Sequence, residues 1–177
     1  VKGIDIVFHA AALKHVDRCE LNPLETINVN ITGTKNIAKA AKKENISRMI
    51  FISTDKAVNP IGVMGATKLL GEKLISAEAT HKSKTIFASV RFGNVFQTRG
   101  SILPRIEKQI SKGGPITLTN PEMKRFFMTK DDAVNLIISA ATIAKGGETF
   151  VLKMPLISLK DLFDSMKDIL ASKYGYK

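Results

Sequence analysis

The 177-residue sequence contains one cysteine, no tryptophan, two tyrosines and no long apolar run. The single cysteine, Cys19, excludes a disulfide within the chain, offers no basis for a metal site, and suits a reducing cytoplasm. No apolar run approaches the roughly 20 residues that a bilayer-crossing helix needs. The hydrophobic fraction of 44% predicts a soluble globular protein with a sizeable core.

A formal net charge of +11 would suit an acidic partner. The lysines are nevertheless scattered along a predicted helix instead of forming one block, at Lys35, Lys39, Lys42 and Lys43. Tyrosine occurs only at Tyr174 and Tyr176, so aromatic residues for base stacking are not interleaved with the basic ones. We expect no nucleic-acid partner. The charge indicates a lysine-rich solvated surface or, second, a substrate that carries phosphate.

The most informative stretch runs from Arg48 to Gly71. The β-branched and aromatic run Met49 to Ile52 predicts a strand buried on both faces, and it stops at the polar residues Ser53 to Lys56. Asn59 and Pro60 break the chain before a helix predicted from Met64 to Leu74. Because ligands bind beyond the carboxyl ends of parallel strands, the Thr-Asp-Lys cluster is placed for proton transfer. The alternative is a solvated loop.

A second buried strand is predicted from Ile4 to His9, and it ends in Ala10, Ala11 and Ala12. Three small residues at a strand end either let another molecule approach the backbone or begin a helix. Asn22 and Pro23 are typical of a helix start. Asn30 lies near the inner face of that helix, where a polar side chain needs a partner.

A third strand, Thr85 to Val90, leads into the polar sequence Arg91 to Val95. Strands and helices therefore alternate, with connections too long for hairpins. This alternation predicts an α/β fold, with right-handed βαβ units and a parallel sheet covered by helices on both faces.

Residues 98–177 differ in character, and we interpret them as a smaller α/β lobe packed on the edge of the sheet formed by residues 1–97. The elements predicted there are a helix from Ile102 to Ser111, a short strand from Ile116 to Leu118, a helix from Asp131 to Ala144, a last strand from Thr149 to Leu152 and a final helix after Leu159.

Met64 and Lys68 lie four residues apart, the spacing of the Tyr-x-x-x-Lys pair of short-chain dehydrogenases. Together with the two polar strand ends, this spacing makes the chain resemble the extended short-chain dehydrogenase/reductases. Within that family it is similar to the polysaccharide-biosynthesis UDP-N-acetylglucosamine 4,6-dehydratases. The matching stretches are Phe8–Val16, Asn28–Asn36, Ser53–Lys68, Arg91–Val95, Arg99–Pro104, Gly113–Thr119 and Met123–Thr129.

The resemblance implies a Rossmann-like fold and a lyase that uses NAD or NADP and regenerates it in each turnover. Hydride leaves C4 of a UDP-sugar, water is eliminated across C5 and C6, and the hydride returns at C6. It also implies a role in surface polysaccharide or capsule synthesis, and a homo-oligomer at full length.

By the same resemblance, Lys56 is the base that removes the C5 proton and Asp55 is the acid that protonates the C6 hydroxyl. Thr54 hydrogen-bonds the C4 hydroxyl, and Lys68 orients the nicotinamide ribose. The remaining assignments are Ala10, Ala11, Ala12 and Asn30 near the cofactor, and Asn94, Arg99, Ser101 and Arg125 near the UDP group.

The sequence departs from the family pattern in two ways. Met64 occupies the place of the usual tyrosine and cannot ionise, so the acceptor of the C4 hydroxyl proton is Asp55, Lys68 or a water. No glycine-rich phosphate loop follows a strand, since Gly62, Gly65 and Gly71 come after the Pro60 turn. We therefore expect the C-terminal portion of a dehydratase, whose preceding part could include a membrane region. The competing hypotheses are a UDP-sugar 4-epimerase and a non-catalytic binding fragment.

Overall fold

The structure, a computed structural model, describes residues 1–80, 83–96, 98, 102–118 and 120–176. Its elements in chain order are β1 (Ile6–His9), α1 (Val16–Leu21), α2 (Pro23–Ile27), a π-helical segment (Asn28–Gly33), α3 (Thr34–Lys43), β2 (Arg48–Thr54), a 3₁₀ turn (Asp55–Ala57), α4 (Val63–Thr80), β3 (Ile86–Phe92), β4 (Asn94–Val95), α5 (Ile102–Ile110), β5 (Lys124–Met128), α6 (Lys130–Ile143), β6 (Thr149–Val151), β7 (Leu156–Ser158) and α7 (Leu159–Lys173).

The chain forms two units, residues 1–92 with 131–152, and residues 93–130 with 153–177. The first unit contains a sheet in the order β1-β2-β3-β6, in which all neighbouring strands are parallel. This arrangement confirms the predicted parallel sheet. The first unit is not residues 1–97, as predicted, because β6 pairs with β3 and α6 packs on the same sheet.

Because successive side chains of a strand point to opposite faces, the two faces of the sheet pack against different helices. On one face, Phe51 and Phe87 pack with Ala38 and Ala41 of α3 and with Ile75 of α4. On the other face, an apolar cluster joins the sheet to α6 through Ile50, Ala88, Val90, Ala140, Ala141 and Ala144. Helices therefore pack on both faces of the sheet at β2 and β3, and β2 is buried on both faces, as the run Met49 to Ile52 predicts.

The chain between β1 and α1 has no regular secondary structure, so the alternative in which Ala10 to Ala12 begin a helix is wrong. Pro23 takes the first position of α2, as predicted, but the Asn22 side chain does not cap that helix. Its Nδ2 instead donates to the Arg18 carbonyl at 3.1 Å.

In the second unit, β4, β5 and β7 form a three-stranded sheet, and β7 pairs antiparallel with β5. β7 follows β6, so the strand at Thr149 is not the last one. Residues 116–118 are not a strand either. The Gln109 side chain holds Thr117, accepting from its backbone nitrogen at 3.2 Å and donating to its hydroxyl at 2.8 Å. The Gln109 side chain thus satisfies the Thr117 backbone nitrogen, which in a strand would bond a neighbouring strand.

Apolar side chains of α5, β5 and α7 form the core of the second unit around Ile106, Phe127 and Phe163. Within the part of the chain that the structure describes, no helix has the length and apolar character that crossing a bilayer requires.

Candidate active site

The carboxyl end of β2 carries a hydrogen-bonded cluster of Thr54, Asp55 and Lys56. The Thr54 hydroxyl donates to Asp55 Oδ1 at 2.9 Å, and the Lys56 ammonium donates to the same oxygen at 3.0 Å. Thr54 Oγ1 also accepts from the Lys56 backbone nitrogen at 3.4 Å, which begins the 3₁₀ turn. A hydroxyl, a carboxylate and an ammonium in contact can pass protons among themselves.

Helix α4 approaches this turn closely because Gly65 has no side chain. A Cβ on Gly65 would overlap the Lys56 carbonyl oxygen and lie 3.1 Å from Pro60 Cβ. One turn further along α4, Lys68 lies on the same face as Met64, and both are buried. The predicted pair is therefore placed on the helix that contacts the 3₁₀ turn.

The Lys68 ammonium is buried against β2. It donates to the Ile52 carbonyl at 2.8 Å and lies 4.6 Å from the centre of the Phe51 ring. Burial disfavours the charged form and lowers the pKa of Lys68 to about 8, while the negative charge of Glu72 opposes that shift. A lysine so placed can exchange its proton near neutral pH.

Asn30 joins three parts of the chain. Its Oδ1 accepts from the Leu13 nitrogen at 2.8 Å, and its Nδ2 donates to the Leu13 carbonyl at 3.0 Å and to Thr67 Oγ1 at 3.0 Å. The Thr67 hydroxyl in turn donates to the Met64 carbonyl at 2.9 Å. The side chain is 1% exposed, so the predicted need for a partner is met by bonds to the loop after β1 and to α4.

His9, at the end of β1, extends this network. The Thr34 hydroxyl donates to the Asn30 carbonyl at 2.7 Å, so its oxygen accepts from His9 Nε2 at 3.0 Å. The proton of neutral His9 therefore lies on Nε2. Burial, and secondarily the charge of Lys68, lowers the pKa of His9 below 6.5.

An ion pair lies one helical turn beyond Lys68. The Arg91 guanidinium donates to both oxygens of Glu72, from Nε at 2.9 Å and from an Nη at 2.6 Å. Glu72 is 5% exposed, and its hydrogen bonds raise the pKa of Arg91.

The other predicted residues of the first unit are less enclosed. Ala10 and Ala11 are exposed and Ala12 is half-buried, so this backbone is open to a ligand.

Among the residues that the structure describes, Ser53 Oγ is the buried side-chain polar atom without a hydrogen-bond partner. No group of three or more His, Cys, Asp or Glu residues within that same set could hold a metal ion.

The predicted UDP-binding residues belong to the second unit or to parts of the chain outside the described residues. Asn94 is half-buried in β4, opposite Phe127 of β5. Arg125 is half-buried in β5, and its guanidinium donates to the Lys124 carbonyl at 3.0 Å. Arg99 and Ser101 lie outside the described residues.

The structure thus brings together Asn30, Thr54, Asp55, Lys56, Met64 and Lys68, with their placement set by β2, α4 and the π-helical segment. Sequence reasoning assigned no individual role to three residues of this region, namely His9, Glu72 and Arg91. For Glu72 a signal existed, because it continues the four-residue spacing of Met64 and Lys68.

Comparison with known proteins identifies the family of the chain. A profile of the family described as "Polysaccharide biosynthesis protein" matches residues 1–175. The uncharacterized membrane protein MJ1061 of Methanocaldococcus jannaschii is 54% identical, over all of this chain and 54% of that protein. The capsular polysaccharide biosynthesis protein CapD of Staphylococcus aureus is 53% identical, over 84% of this chain and 25% of that protein. The UDP-glucose 4-epimerase of Rickettsia canadensis is 43% identical, over 97% and 51%.

The chain therefore spans about half or less of the length of these curated relatives. Among solved structures, Pen from Bacillus thuringiensis is 47% identical with a TM-score of 0.93, over 97% of this chain and 55% of that one. The dTDP-glucose 4,6-dehydratase DesIV from Streptomyces venezuelae, with NAD and TYD bound, has a TM-score of 0.86 over 99% and 59%. At 20% identity, the second likeness shows the shared fold alone.

Proposed function

The chain belongs to the polysaccharide biosynthesis protein family, and we propose that it carries the catalytic residues of a nucleotide-sugar-modifying enzyme, specifically a UDP-N-acetylglucosamine 4,6-dehydratase. The observation that carries the proposal is the contact of Thr54, Asp55 and Lys56 at the carboxyl end of β2. The names of CapD and of the Rickettsia relative support the broader class, that of nucleotide-sugar-modifying enzymes in polysaccharide biosynthesis.

A nicotinamide cofactor, NAD or NADP, fits the first unit. Exposed small residues follow β1, and the buried Lys68 ammonium lies at the carboxyl end of β2. That is the edge of a parallel sheet at which nucleotides bind. Lys68 would hold the nicotinamide ribose, and Ala10 to Ala12 would pass the cofactor, with Asn30 fixing both segments. The bound cofactor supplies the acceptor and donor of hydride.

Thr54 and Asp55 give the C4 hydroxyl proton a path. Because the Thr54 hydroxyl donates to Asp55, its oxygen can accept from the C4 hydroxyl. Loss of hydride from C4 then sends the hydroxyl proton to Thr54 while the Thr54 proton moves to Asp55. This relay explains how the site works with Met64, which cannot accept a proton.

Protonation of Asp55 prepares the elimination. It removes the negative charge beside the Lys56 ammonium, which lies 3.0 Å away, and so favours release of a proton from Lys56. Neutral Lys56 takes the C5 proton, which the C4 ketone has acidified, and Asp55 gives its proton to the departing C6 hydroxyl. After hydride returns to C6, Lys56 protonates C5. Asp55 is ionised again, and Lys56 regains its proton from solvent.

Binding of the UDP group is assigned to Asn94, Arg99, Ser101 and Arg125. An arginine such as Arg125 can bind a diphosphate through two parallel hydrogen bonds, which a lysine cannot do. A free buried thiol at Cys19 suits a reducing, cytoplasmic location for this part of the protein. A homo-oligomer remains our expectation for the full-length protein.

The decisive experiment incubates the full-length protein with cofactor and UDP-N-acetylglucosamine deuterated at C4. Mass spectrometry should find a 4-keto-6-deoxy product lighter by one water, with the deuterium recovered at C6 and no net change in the redox state of the cofactor. Recovery of only UDP-N-acetylgalactosamine, without loss of mass, would overturn the dehydratase in favour of an epimerase.

The epimerase is the second candidate because a relative of that name matches 97% of the chain. An epimerase needs only oxidation and reduction at C4, for which a tyrosine beside Lys68 suffices. This chain has Met64 there and an additional acid and base, which favours the dehydratase. Unchanged substrate with either cofactor would favour the third candidate, a binding protein without catalysis.

A further inference from the structure

Three residues occupy one face of α4 at successive turns, namely Met64, Lys68 and Glu72. All three are buried, and Glu72 is 5% exposed. A buried carboxylate is costly unless it is paired, and a direct ion pair with Lys68 is open to it because residues four apart on a helix are neighbours. The hydrogen bonds of Glu72 go elsewhere.

Both Glu72 oxygens accept hydrogen bonds from Arg91, at 2.9 and 2.6 Å. Arg91 lies near the end of β3, directly beside Ser53 of β2 in the sheet register. The parallel fork of a guanidinium fixes the plane of a carboxylate, which a single lysine contact does not. Lys68 instead donates to the Ile52 carbonyl at 2.8 Å.

We propose that Glu72 and Arg91 are positioning residues for Lys68: Glu72 keeps the ammonium charged, and Arg91 keeps it on the Ile52 carbonyl. Glu72 supplies the negative charge, and Arg91 keeps its carboxylate from pulling the ammonium away along the helix. The consequence for a nicotinamide ribose rests on the proposed function, whereas the geometry and charge of Lys68 do not.

The groups around Lys68 support this division of roles. His9 faces it from β1 and is held neutral, as its lowered pKa indicates, and Phe51 of β2 offers the face of its ring. Burial lowers the pKa of Lys68 to about 8, and Glu72 is the group that opposes the decrease. Without Glu72, the ammonium would lose its nearby counter-charge. Without Arg91, the same carboxylate would act on Lys68 more strongly.

The test is a titration of the Lys68 side chain by NMR in the full-length protein with ¹³C-labelled lysine, the signal being assigned with Lys68→Met. Glu72→Gln should lower the pKa of Lys68 by about one unit or more, the size of shift usual when a nearby opposite charge is removed. Arg91→Gln should raise it by a similar amount and shift the Lys68 signals as the ammonium moves toward Glu72.

The matched control is Glu78→Gln, which removes another ion pair of the same helix, that with Lys42 at 2.8 Å. Its Lys68 pKa should equal that of the unmodified chain. Unchanged Lys68 titration in folded Glu72→Gln and Arg91→Gln would overturn the proposal and leave the ion pair a structural brace.

If Arg91→Gln fails to fold because it strands a buried carboxylate, the double variant Glu72→Gln, Arg91→Gln leaves no unpaired charge. We expect it to lower the pKa of Lys68, since Glu72 is the charged group that opposes the decrease, and an unchanged value would again overturn the proposal. In the full-length enzyme, Glu72→Gln should move the alkaline decrease of kcat/KM to lower pH. The NMR result stands whichever sugar product is formed.

Discussion

Asn30 binds both backbone polar groups of Leu13, accepting from its nitrogen at 2.8 Å and donating to its carbonyl at 3.0 Å. A single buried amide thus fixes the loop that follows β1. We predict that Asn30→Leu lowers the free energy of unfolding by about 3 kcal/mol, because several buried hydrogen bonds are lost and the Leu13 groups lose their partner. Urea denaturation measures the change.

The control for this prediction is Asn36→Ala, on the exposed side of α3. It should change stability by no more than about 0.5 kcal/mol, the range usual for surface substitutions. Equal effects of the two substitutions would contradict the role assigned to Asn30.

A substitution at Gly65 tests the close approach of α4 to the 3₁₀ turn. Gly65→Ala places a methyl group against the Lys56 carbonyl, so we expect a loss of about 2 kcal/mol in stability, with α4 displaced. Gly33→Ala is the matched control, since its Cβ would meet only the Asn28 carbonyl at 3.7 Å. That variant should be neutral or more stable by up to about 1 kcal/mol, because alanine favours a helix. Thermal or urea unfolding distinguishes the two.

The lowered pKa of His9 predicts that stability depends on pH. Its pKa is lowered in the folded state, so the unfolded chain binds more protons between that value and 6.5. The free energy of unfolding should therefore decrease as the pH falls below 6.5, and be recovered above 6.5. His9→Gln, which keeps a donor for Thr34, should lack this component. Identical slopes for the two proteins in urea titrations at several pH values would disprove the assignment.

The roles of Lys56 and Asp55 can be separated in the full-length enzyme. Lys56→Ala should reduce exchange of the sugar C5 proton with solvent deuterium by at least about 100-fold, the usual contribution of a general base. Asp55→Asn should mainly slow loss of the C6 hydroxyl, so that a 4-keto intermediate accumulates. Near-normal C5 exchange in Lys56→Ala, measured by NMR, would show that another group is the base.

Much of the first unit could be predicted because its signals are local. The run Met49 to Ile52 and the polar residues after it indicate a buried strand and the position of its carboxyl end without knowledge of any partner. The four-residue spacing of Met64 and Lys68 likewise predicts that they share a helix face. In each case, the periodicity of the backbone determines where a side chain lies.

The remainder depends on contacts between distant segments. The pairing of Glu72 with Arg91 spans 19 positions and that of His9 with Thr34 spans 25, so spacing alone reveals neither. Residues 116–118 read as a strand because their apolar residues alternate, but a glutamine side chain satisfies Thr117. Without a partner strand, the same alternation only lets Ile116 and Leu118 pack on the core.

The chain passes between its two units three times, after Phe92, Lys130 and Leu152. No single cut can therefore separate them into independently folding pieces. A truncation after residue 97 would retain β3 but discard β6 and α6, leaving Ile50 and Val90 without the alanines that cover them. To produce the first unit alone, residue 92 would have to be joined directly to residue 131. Residues 93–130 would then have to be joined to residues 153–177 in a second chain.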